Sequence, residues 1–221
     1  MVILTQAING TYTPWFYQNI DKQNYAGIRK ITQITASIMA VSVIILMFFA
    51  PEIVTIIGGD KYREAVYVIP PVAASVFFIF MYNIFANVEF YFEKNKYVMV
   101  GSIIAAILNL LLNFIFIRIF GYLAAAYTTL FCYMIYCFTH QLLATKVCSQ
   151  NNIPKSIFNA KWISFLYLFV VCVSFGMNFI YMNNVIRYIF IITVVLVLLI
   201  KRRAIVILIK DLFKIIKKKD I

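Results

Sequence analysis

The stretch ILNLLLNFIFIRIFGYLAAAYTTL (residues 107–130) is apolar enough to lie in a membrane, yet it carries two amides, a guanidinium and a small-residue turn. Asn109 and Asn113 are four residues apart, so a helix places both on one face. The bilayer core offers polar groups no water. That face must therefore turn toward protein or a wet interior. Two readings are open: interhelical hydrogen bonds, each worth about 0.6–2 kcal/mol, or the lining of a polar cavity. Arg118 sits at the end of the apolar run, where its long stem can carry the charge to the interface. Contact with an anionic substrate at that mouth is the sharper alternative.

Composition extends this reading to the whole chain. Of 221 residues, 64% are hydrophobic and only 13% charged, with mean hydropathy +0.91. A soluble domain carries roughly 25% charged and 45–50% apolar residues, so the chain reads as an all-α integral membrane protein. A membrane barrel needs short strands of alternating polarity, whereas the runs here are long and continuous. Six stretches approach the roughly 20 residues a spanning helix needs: 31–50, 69–92, 97–117, 121–144, 162–181 and 185–200. Residues 1–30 read as the end of a preceding helix and a cytoplasmic linker, without a basic leader or cleavage site. Trp15, Phe16 and Tyr17 suit a membrane interface.

The basic residues orient these spans. With residue 30 and the C-terminus on one side, only Lys61, Arg63, Arg118 and Arg187 of the 20 Lys and Arg fall on the other. The positive-inside rule makes the crowded side cytoplasmic. The net charge of +12 is then explained by topology and anionic lipid, not by nucleic acid. The tail 201–221 repeats Ile205, Leu208, Ile209, Leu212 and Ile216 at helical spacing, with lysines largely opposite. It reads as a basic amphipathic helix on the inner leaflet.

Further polar residues lie in the second and fourth spans. Asn83 and Asn87 share a face and are candidates for lining a cavity with Asn109, Asn113 and Arg118. Glu89 lies in the last turn of its span, beside Lys94 and Lys96. Glu89 and His140 are ion-coupling candidates. The plainer readings are an interfacial Glu paired with a nearby Lys, and an interfacial or packing His. In 51–68, read as a loop, Pro51 ends the first span, Gly58-Gly59-Asp60 makes a tight turn, and Pro70-Pro71 opens the next helix. One His and four Cys without a CxxC pair leave no metal box. No phosphate-cradling loop or nucleophile elbow occurs, so no cofactor and no catalytic residue is assigned.

FFAPEIVTIIGGDKYREA (48–65) and the opening stretch together resemble the C-terminal half of bacterial polysaccharide-unit flippases of the multidrug/oligosaccharidyl-lipid/polysaccharide exporter superfamily. Asn109, Asn113, Ile117, Gly121, Ala125, Ala126 and Thr128 match that family's pattern. TYTPWFYQNI (11–20) resembles the segment joining its eighth and ninth helices. Arg118 stands where the family has Pro, Ala124 where it has Gly, and Tyr127 where it has Ala. The resemblance implies half of a two-bundle transporter that moves a lipid-linked oligosaccharide across a bacterial plasma membrane. Its partners would be membrane lipids, that substrate, and a missing N-terminal half or other glycan-assembly proteins. A membrane enzyme of glycan assembly and a multidrug exporter of the same superfamily remain the alternatives. Short outer loops poor in His and acidic clusters disfavour the enzyme.

Overall fold

The structure is a computed structural model that describes residues 1–154 and 157–200. The expected amphipathic tail, 201–221, lies outside the described residues. The described chain is helical throughout, with no strand. Its elements are α1 (Val2–Asp21), α2 (Tyr25–Phe48), α3 (Ala50–Gly58), a 3-10 segment (Asp60–Val68), α4 (Ile69–Tyr91), α5 (Asn95–Phe120), α6 (Ala124–Gln150), α7 (Ala160–Ile180) and α8 (Asn184–Ile200). Among the described residues, four helical stretches are long and apolar enough to cross a membrane: Tyr25–Phe48, Lys61–Tyr91, Asn95–Phe120 and Ala160–Ile180. The expected spans 121–144 and 185–200 fall on α6 and α8. The first is long but more polar, and the apolar stretch Asn184–Val194 is shorter.

The hub is α4. Its buried residues surround it, from Phe77, Phe78, Phe80 and Met81 to Phe85 and Val88. A helix apolar on every side is one surrounded by others, and α4 packs on α6, α2, α1 and α7. The edge of the bundle is α5, which contains no buried residue and rests chiefly on α6. Its outer face, including Ile103, Ile104, Ile107 and Leu111, is more than half exposed.

The turns sort into two ends. At one end α1, α4 and α6 stop near Gln23, Glu93 and Asn152, all with positive φ, as in left-handed helix caps. Tyr91 donates to Asp21 across this end. At the other end α3 and α5 stop at Gly59 (φ 68°, ψ −174°) and Gly121 (φ 75°, ψ −171°). That region of backbone space is essentially glycine's alone. There Tyr122 donates to Glu64 and Arg187 to Glu52. Lys61, Arg63, Arg118 and Arg187 lie in or near the elements that meet at this end.

Several local expectations are corrected. Residues 51–68 form α3 and the 3-10 segment rather than a loop. Pro51 lies in the first turn of α3 instead of ending the first span, where its missing N–H costs little. Residues 118–120 continue α5, and α6 runs on to Gln150. Trp15 and Phe16 are buried against neighbouring helices near the end of α1. Pro70 and Pro71 open α4 as expected.

Candidate functional site

The expected amide pair meets α6. Asn113 Nδ2 donates to Asn109 Oδ1 at 3.0 Å, and Asn109 Nδ2 reaches Thr129 Oγ1 at 3.4 Å. Thr128 Oγ1 donates to Asn113 Oδ1. The two amides therefore face protein, and they do so beside a groove. This groove, about 620 Å³, lies between α4, α5 and α6 and is lined by Tyr82, Ser102, Asn109, Asn113, Thr129 and Tyr136, among others. The amides join α5 to α6 and stand among the lining residues of this mixed polar and apolar groove. Ser102 and Tyr136 share a 2.6 Å hydrogen bond across it. Around the same helix pair lies an apolar cleft of about 510 Å³, formed by Leu112, Phe116, Phe120, Leu123, Tyr127 and Phe131 with Ala124 and Thr128.

Deeper in, Glu89 and His140 form a direct pair. His140 Nδ1 lies 2.7 Å from Glu89 Oε1, and both side chains are fully buried. Neither Glu89 Oε2 nor His140 Nε2 has a hydrogen-bond partner within the protein. Tyr82 and Tyr136 wall the imidazole, with ring centroids 4.9 and 4.6 Å away. On α5, Gly101 leaves the space that Nε2 occupies: a Cβ there would stand 2.8 Å from it. The expected partner of Glu89, a nearby interfacial Lys, is replaced by a histidine 51 residues on. A buried acid–imidazole pair depends on its mutual contact, because removing either member leaves the other sealed from water without a partner.

The remaining candidates stay apart from this cluster. Asn83 and Asn87 each donate back to their own helix, to the Ile79 and Asn83 carbonyls at 2.9 Å. They do not line the groove. Arg118 is exposed at the end of α5 and stacks on Phe114, 3.8 Å from the ring centroid, consistent with a snorkelling cation.

One cluster was not foreseen. Arg187 grips Glu52 with two hydrogen bonds of 2.6 and 3.2 Å, and Tyr188 adds a third at 2.9 Å. They border a pocket of about 650 Å³ at the glycine-turn end. No local motif announces a contact between residues 135 apart. The one sequence hint was a Glu and an Arg at the ends of apolar stretches on the same expected side.

Comparison with family models, curated proteins and solved structures finds no match to this chain.

Proposed function

We propose that the chain moves an amphipathic, lipid-linked oligosaccharide across a bacterial plasma membrane, as one of the two bundles of a flippase. In this reading α2, α4, α5, α6, α7 and α8 make six spans. The end bearing Lys22, Lys94 and Lys96 and the C-terminus are cytoplasmic. The observation that carries the reading is the amide- and hydroxyl-lined groove in otherwise apolar helices. Buried polar groups in a membrane protein mark paths for polar cargo. The separate apolar cleft that α5 and α6 also border suits the lipid part of such a substrate. The glycan would slide along Asn109 and Asn113 while its lipid stays outside.

Alternating access rocks one bundle against another about a central site. With α5 open along its whole length, this bundle supplies one wall, and a second bundle supplies the other. Glu89 and His140, sealed together between α4 and α6 with one polar atom each left unpartnered, are the residues that would couple the motion to an ion gradient. The test is translocation of a fluorescent undecaprenyl-linked oligosaccharide in proteoliposomes. The chain with an N-terminal bundle should translocate it, the chain alone should not, and Asn113→Leu should abolish it. Activity of the lone chain equal to that of an intact transporter refutes the half-transporter reading. No translocation by the assembled pair refutes the function.

A further inference from the structure

The pocket at the glycine-turn end lies between α3, the 3-10 segment and the α7–α8 turn, apart from the α4–α6 groove. Its wall includes Glu52, Arg63, Glu64, Tyr67, Tyr181, Asn184, Arg187 and Tyr188. Two carboxylates and two guanidiniums leave it without net charge. Glu52 is held in plane by the two-pronged Arg187 contact and the Tyr188 hydroxyl, a geometry that fixes direction as well as distance. Its side chain stays 30% exposed. Tyr181 is pinned by donating to the Met47 carbonyl, and its ring meets that of Tyr67 edge-on at 6.1 Å. Arg187 lies 4.8 Å from the centroid of Tyr188.

We propose that this pocket binds a sugar ring of a glycan at the outer mouth. Adjacent sugar hydroxyls each donate and accept. They match a fixed carboxylate and the Asn184 amide, which together offer acceptors and donors. The C–H face of the ring matches tyrosine faces, which join an apolar body to a polar tip. The volume lies within the roughly 300–1,000 Å³ of small-molecule sites. A simple anion fits less well, because Arg187 is already neutralised by Glu52. An apolar ligand would strip water from the carboxylate without replacing its hydrogen bonds. That the ligand is a glycan rather than another polyol rests on the transport reading.

The experiment is saturation-transfer NMR on the whole chain in nanodiscs, with maltose and N,N′-diacetylchitobiose as probes. Purification must avoid maltoside detergents, whose headgroup is itself a disaccharide. Transfer to the sugar C–H protons is expected for at least one probe. Asn184→Leu, at an exposed position, and Tyr67→Ala should each reduce it, while Leu168→Ala, on the exposed face of α7 away from both the pocket and the groove, leaves it intact. No transfer from folded protein, or transfer unchanged in both pocket variants, overturns the proposal. Sugar binding that persists where the assembled bundles fail to translocate upholds it and removes the transport reading instead.

Discussion

The Glu89–His140 pair makes a quantitative demand on stability. Both groups are sealed from solvent and share one 2.7 Å contact between α4 and α6. Replacing His140 by Leu strands the carboxyl. The cost is about 1–3 kcal/mol if the acid stays neutral and about 3–5 kcal/mol if it stays charged. Glu89→Leu strands the imidazole at a similar neutral-group cost. The double replacement removes both polar groups and restores an apolar contact, which is often close to neutral. The double-mutant cycle should therefore return a coupling of about 2–4 kcal/mol, with the double variant more stable than either single one. The readout is unfolding by SDS in mixed micelles, followed by far-UV circular dichroism. Costs that simply add, as they do for residues without shared partners, would refute the pairing.

Two further outcomes follow at the opposite end. Gly121→Ala forces a side chain into φ 75°, ψ −171° and should destabilise the α5–α6 hairpin by about 1–3 kcal/mol, measured in the same titration. Tyr122 donates to Glu64, and that bond raises the phenol above its usual value. A raised folded-state value gives stability that is complete below about pH 10, the free phenol's range, and lost as pH rises through the raised value. Tyr122→Phe should remove this alkaline loss, visible as a flatter stability profile above pH 10.

Periodicity and charge carried most of the helical layout. Asn109 and Asn113 reveal their shared face by spacing alone, because the helix repeat is a local property. The basic residues that suggested an orientation sit in the turns, where they are likewise read locally; the Tyr91–Asp21, Tyr122–Glu64 and Arg187–Glu52 contacts that tie the helix ends together are not. Contacts between helices were another matter. Glu89 looked interfacial because Lys94 and Lys96 follow closely. It is instead covered by α6, whose His140 meets it at 2.7 Å, a pairing of residues 51 apart that local sequence does not announce. Trp15 and Phe16 look like interface anchors by residue type, and their burial, which depends on α2 and α4 packing over them, has no signal in the local sequence. Asn83 and Asn87 share a face as spaced, yet their amides bond to their own backbone. The side-chain rotamer, which sequence does not encode by spacing, decides that.

The most direct test of the account is water access along α5. In a background with Cys132, Cys137, Cys148 and Cys172 replaced, Ala106→Cys lines the polar groove. Ile107→Cys, one residue on, lies on the open apolar face and is not part of that lining. In a bilayer, a charged maleimide should modify residue 106 and spare residue 107. Equal protection of both, or modification of 107 alone, would mean that the amide-bearing face meets lipid and that no polar passage exists here.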